Sequence, residues 1–206
     1  NFTMLNKQEI ESHFSKLSPP RVGSIAFNGS EYIIKDSCIE MFQEIFGLVK
    51  PKNILEIGTH MGHSSLIMLG LSESSIVSVD IGQEWCGQDN LAVAQKVLDE
   101  VFPNRFLSIC GDSNSDETIN RVKEVSKNYK FDFIFIDGNH TYKYCKKDID
   151  TAIELNIPYI AIDDYTTCED MRLAAKDSPL ELIKIYENIH NGCNIGIGFF
   201  KNKLIG

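Results

Sequence analysis

Residues 54–65 read ILEIGTHMGHSS: an apolar run broken by one acid, glycines at 58 and 62, and then a polar start to a helical segment. A buried strand that passes through a glycine loop into a helix is the first βα unit of a nucleotide-binding parallel sheet. A dinucleotide fingerprint would need glycines at 58, 60 and 63, yet His60 and His63 stand at the last two. Glu56 would also lie close to a pyrophosphate and repel it. An adenosyl ligand with an ammonium group and no phosphate suits the loop better. Glu56 then contributes favourable charge, and the helix N-terminus faces a carboxylate.

Outward from this loop, β-branched runs alternate with longer amphipathic segments, the pattern of a parallel sheet with crossover helices. The spacing predicts strands at 53–57, 75–80, 105–111, 131–137 and 159–163, with helices at 62–71, 89–101, 116–128 and 142–155. The tail differs. LELIKIYEN (180–188) and NIGIGFF (194–200) alternate with a period of two around the turn-rich IHNGC, which predicts an antiparallel hairpin and hence a mixed sheet. Ahead of residue 50 the pattern predicts helices at 7–17 and 37–49, the second capped by Asp36, with a break at Pro19-Pro20. These N-terminal helices read as a lid or an oligomer contact, and the apolar face of the 37–49 helix makes a homodimer reasonable.

A length of 206 residues, 43% of them hydrophobic, fits one α/β domain across the whole chain. A formal charge of −9 argues against a nucleic-acid partner, since neutralising phosphates requires a basic stripe. The partner expected is a small molecule. No apolar window is long enough for a membrane span and the N-terminus lacks a signal-peptide core, so a cytoplasmic protein is expected. The six cysteines form no CxxC pair and read as reduced structural thiols.

Two more strand ends carry acids in register with the loop. Asp80 closes the second strand, where an acid can accept from two ribose hydroxyls, and GDS at 111–113 places Asp112 and Ser113 to meet an adenine. S-adenosylmethionine is a ligand of this kind. The EIGTHMGHSS loop, the SVD strand end, the FIDGNHTY segment and the AIDDY strand end together resemble class I S-adenosylmethionine-dependent methyltransferases, over about residues 50–165. Within them, EIGT-x-x-G-x-S and IDG-x-H-x-Y are similar to a small group that modifies sugars and natural products. His60 departs from the broader glycine-rich pattern of the loop. The resemblance implies a Rossmann-like, doubly wound, seven-stranded sheet of order 3-2-1-4-5-7-6, with strand 7 antiparallel and helices on both faces. It also implies a cofactor surface of Glu56, Gly58, Thr59, His60, Gly62, Ser64, Asp80, Ile81, Asp112, Ser113 and Asp137.

The stretch FDFIFIDGNHTY (131–142) ends a strand with Asp137, and the next strand ends with Asp163 and Asp164. Neighbouring parallel strands deliver these carboxylates to one crevice, and a hard divalent cation such as Mg2+ would relieve their repulsion. The sequence here resembles catechol-type O-methyltransferases, which implies metal ligation by Asp137, Asp163 and Asp164, an acid replacing the usual amide at 164. The same resemblance sets His140 where a catalytic lysine stands. A histidine is suited to take a proton from a sugar or phenolic hydroxyl. Two alternatives stay open: a hydroxylase-like metalloenzyme using His140, Asp137 and Asp163, and a non-catalytic module that binds the adenosyl cofactor. Acceptor specificity is expected from the N-terminal helices, the segment after Asp164 and the loop near His190.

Overall fold

The computed structural model describes residues 4–17, 31–85, 88–190 and 193–205. Two helices, α1 (Lys7–Leu17) and α2 (Glu31–Val49), precede β1 (Asn53–Ile57), α3 (His63–Gly70) and β2 (Ser75–Asp80). A short ribbon, β3 (Glu84–Trp85) with β4 (Gln88–Asp89), leads into α4 (Asn90–Val101). Next come β5 (Phe106–Cys110), α5 (Asp116–Ser126), β6 (Phe133–Ile136), α6 (Tyr142–Glu154), β7 (Tyr159–Asp163) and α7 (Glu169–Lys176). The chain ends in the hairpin β8 (Leu180–His190) and β9 (Cys193–Asn202).

The large sheet has the order β5-β2-β1-β6-β7-β9-β8. The β5, β2, β1, β6 and β7 ladders are parallel, and β9 enters antiparallel between β7 and β8. Counting only the seven strands of this sheet, that is 3-2-1-4-5-7-6, the expected Rossmann-like arrangement. The central strands are apolar at nearly every position because helices cover both faces: β6, FIFI, is buried throughout. On one face α2 lays Phe42 against Phe135 at 5.1 Å and Phe46 against Phe133 at 5.4 Å, edge to face. The opposite face is sealed by Val122 of α5, by Cys145, Ile149 and Ala152 of α6, and by Met171 of α7.

Two expectations for the N-terminal half change. The second helix begins at Glu31, six residues before the expected start, so Asp36 lies within it and is not its N-cap. Its apolar face, with Ile39, Phe42, Ile45 and Phe46, is buried in the chain's own core, which removes the reason for expecting a homodimer through it. The Pro19-Pro20 break and the turn at 191–192 lie outside the described residues. No helix among the described residues is long and apolar enough to cross a membrane.

Candidate active site

The C-terminal ends of β1, β2, β5 and β6 open into a cleft of about 370 Å3, a volume in the small-molecule range. Its position follows from topology. The sheet reverses winding direction between β1 and β6, so the loops leaving these strands diverge and leave a crevice.

Gly58 sets the closeness of that crevice. Its φ is +94°, and a Cβ there would lie 2.0 Å from the Asp137 carbonyl oxygen. Only glycine lets the β1 loop cross the end of β6 at this distance. The next bend is made by His60, a non-glycine residue at φ 50°. This conformation is held by hydrogen bonds: the His60 N–H donates to Asp80 Oδ2 at 2.9 Å, and its carbonyl accepts from Asn90 Nδ2 at 2.5 Å. The loop thus takes the expected course without the customary middle glycine.

Asp80 does more than end β2. Its Oδ1 accepts from the Gly82 N–H at 2.8 Å while Oδ2 holds His60. Each carboxylate oxygen has a second lone pair, and Asp80 lines the cleft, so it can still receive ribose hydroxyls. Gly58, His60, Ile81, Asp112, Ser113 and Asp137 line the same space. Asp112 Oδ1 caps its own turn by accepting from the Asn114 N–H at 2.9 Å.

Four residues expected at the cofactor do not line this cleft. Glu56 is fully buried. Its Oε1 accepts from Ser65 Oγ at 2.5 Å and from Ser78 Oγ at 2.6 Å, tying β1 to α3 and β2. Burial among these hydroxyls ties its charge to the fold. Thr59 is buried against Ser78 at 2.6 Å. Gly62 is a packing glycine, since a Cβ there would lie 3.1 Å from the Ala94 Cβ. Ser64 is buried in the first turn of α3.

The acids at the mouth of the cleft converge with His140. Its Nε2 is 3.1 Å from Asp164 Oδ2 and 3.7 Å from Asp137 Oδ1. The interaction with Asp137 raises the His140 pKa above 6.5, burial opposes it, and the charge of Asp164 adds to the rise. Asp164 reaches the site from a left-handed turn, φ 53°, directly after β7. One ligand atom each from Asp137, His140 and Asp164 lie within 4.8 Å of one another. Two of the three expected metal ligands are therefore together. Asp163 is not in the group: it is the last residue of β7, paired in register with Ile197 of β9, and His140 takes its place. Asp163 is also not the N-cap of α7, a position held by Cys168.

Sequence reasoning missed Gln83, Gly138, Asn139 and Tyr144, which also line the cleft. It also missed Asp148, which is 2% exposed within the charged run KYCKKD (143–148). The signal was available: Asp148 continues the stripe of Cys145, Ile149 and Ala152 at helical spacing. The turn at 191–192 beside His190, expected to shape specificity, lies outside what is described.

Residues 55–165 match the family described as Methyltransferase domain. Among solved structures, the chain is similar to an O-methyltransferase from Bacillus cereus in complex with SAH, at 19% identity and TM-score 0.61, covering 95% of this chain and 96% of that one. It is also similar to the O-methyltransferase TomG from Streptomyces achromogenes, involved in tomaymycin synthesis and solved with SAM. That match has 16% identity and TM-score 0.64, covering 97% of this chain and 99% of that one. A methyltransferase from Podospora anserina, bound to SAH, matches at 16% identity and TM-score 0.61, over 96% and 87% of the two chains. No curated protein matches the chain.

Proposed function

The chain belongs to the class I S-adenosylmethionine-dependent methyltransferases, and on that premise we propose that it methylates a hydroxyl oxygen of a small acceptor such as a sugar or natural product. The observation that carries this reading is the position of His140, held between Asp164 at 3.1 Å and Asp137 at 3.7 Å where the cleft opens. When bound, S-adenosylmethionine supplies a methyl group on a positively charged sulfur. The protein's task is to place an oxygen in line with it and remove that oxygen's proton.

His140 is the residue for the proton. Two neighbouring carboxylates stabilise the imidazolium that forms, so the ring is a stronger base than a free histidine. Asp80 holds the ribose, and Asp112 with Ser113 meets the adenine, which leaves the reactive sulfur toward Asp137. The likeness to TomG, which is involved in tomaymycin synthesis, supports a small hydroxylated acceptor, as does the net charge of −9.

The donor set also fits a divalent cation. Asp137 and Asp164 would hold it through hard carboxylate oxygens, with His140 beside them, and it would supply Lewis acidity toward the acceptor oxygen. The hydroxylase-like alternative is less well supported. One histidine with two carboxylates inverts the two-histidine, one-carboxylate set of non-haem iron oxygenases.

Calorimetry with S-adenosylmethionine and S-adenosylhomocysteine, with and without Mg2+, tests the cofactor. Binding of neither would remove the basis of the proposal. Methyl transfer to a panel of sugar and phenolic acceptors, with EDTA, Mg2+ or Mn2+, tests the chemistry. Asp137→Asn should reduce metal-dependent turnover far more than cofactor affinity; equal losses would assign Asp137 to the cofactor instead. Cofactor binding without transfer to any acceptor would favour the non-catalytic module.

A further inference from the structure

Asp148 occupies a core position of α6 and is 2% exposed. Its Oδ1 accepts from Ser113 Oγ at 2.7 Å and from Asn114 Nδ2 at 3.2 Å. Its Oδ2 is buried with no hydrogen-bond partner. That oxygen lies under the cleft: a Cβ built on Gly138, a lining residue, would approach it to 3.7 Å. Leaving a carboxylate half-satisfied in an apolar stripe costs free energy that a leucine would not. The arrangement therefore calls for a function outside folding.

The function follows from counting the valences of Ser113. A hydroxyl has one proton and two lone pairs. The proton is committed to Asp148. One lone pair faces the Asn114 amide at 3.4 Å, and the other remains for the cleft, which Ser113 lines. An oxygen held this way can accept but not donate. An adenine presents an exocyclic amino donor at C6, whereas a 6-oxopurine presents a carbonyl acceptor there.

We infer that Asp148 is a positioning residue that locks Ser113 as an acceptor and so makes the cleft select an adenine over a 6-oxopurine. The inference rests on the cofactor reading above, in which the adenine lies at Asp112 and Ser113. A carboxylate enforces this polarity where an amide does not, because an ionised carboxylate only accepts while an amide both donates and accepts. At pH 8.5 the Asp148 carboxyl, which burial pushes up to about 7 with Asp112 adding to the rise, is ionised.

The test is calorimetry at pH 8.5 with S-adenosylhomocysteine and its deaminated analogue, S-inosylhomocysteine. Wild-type protein should bind the adenosyl compound at least ~10-fold more tightly, about the loss expected for one mismatched hydrogen bond. In Asp148→Asn and in Ser113→Ala that ratio should fall to within ~3-fold, and the double variant should show no further change, because the two residues act as one unit. Thermal melts confirm that each variant is folded. A folded Asp148→Asn that keeps the wild-type ratio overturns the inference, as does equal weakening toward both ligands, the signature of a purely structural role. Equal binding of both ligands by wild type also overturns it and leaves the cofactor reading standing. If wild type binds neither, the cofactor reading fails as well.

Discussion

His140 Nε2 and Asp164 Oδ2 lie 3.1 Å apart, although one follows β6 and the other follows β7. Asp137 adds the larger upward effect on the His140 pKa, and the charge of Asp164 adds to it. As a base, His140 must be neutral before transfer, so kcat/KM should rise with pH along a limb whose inflection lies above 6.5. Asp164→Asn should move that inflection down. His140→Gln should abolish the limb and reduce turnover by ~10^2 to 10^4. The same raised pKa stabilises the fold below about pH 6.5 and ceases to do so as pH rises through the folded value. With the His140 side chain 47% exposed, solvent screening keeps that contribution below about 1 kcal/mol. A pH–rate profile of each variant checks the assignment.

Gly58→Ala meets two penalties at once. Its backbone is at φ +94°, and the added methyl would lie 2.0 Å from the Asp137 carbonyl. The β1 loop must then move away from β6. A loss of about 2–4 kcal/mol is expected, with cofactor affinity falling as well because the cleft wall shifts. Denaturant melts with and without S-adenosylhomocysteine measure both effects.

Asp148→Asn should change the pH dependence of stability. The carboxyl titrates at about 7 in the fold against 3.8 ordinarily. Between these values the folded state binds more protons than the unfolded chain. Wild-type stability therefore falls as pH rises from about 4 to about 7, and levels off above. The variant lacks this slope. Relative to wild type it should gain on the order of 2–4 kcal/mol between pH 4 and pH 8, read from urea melts at the two pH values.

Ser78→Ala removes a hydroxyl that donates to Glu56 and contacts Thr59. Oε1 of the buried Glu56 would lose this bond and retain that from Ser65, at a cost of about 1–3 kcal/mol. Cofactor affinity should change less than ~3-fold, because Glu56 does not line the cleft. A large loss of affinity at unchanged stability would return Glu56 to the cofactor surface.

The legible parts of the site were those written in local pattern. Gly58, Asp80, Asp112 and Asp137 each sit at the junction of an apolar run and a polar turn, and strand ends in a parallel sheet share one edge. Glu56 has the same local signature, yet it belongs to the core. The difference is depth along the strand: Glu56 stands inside β1 in register with Ser78, two residues short of Gly58, and there it meets Ser65 and Ser78. Asp163 and Asp164 were indistinguishable as neighbouring acids. A left-handed turn at Asp164 brings one of them to His140.

By itself the sequence determined the mixed sheet and the edge at which chemistry occurs, because burial on both faces and the βα alternation leave few other ways to hide those strands; the strand order was implied by the family resemblance. It also determined the family, through motifs carried on three adjacent strand ends. Only the tertiary structure decided which carboxylate meets His140, that Glu56 belongs to the core, and that Asp148 reaches under the cleft to Ser113. Each of these depends on contacts between residues from 9 to 35 positions apart. Their geometry is set by packing across elements, which no local periodicity records.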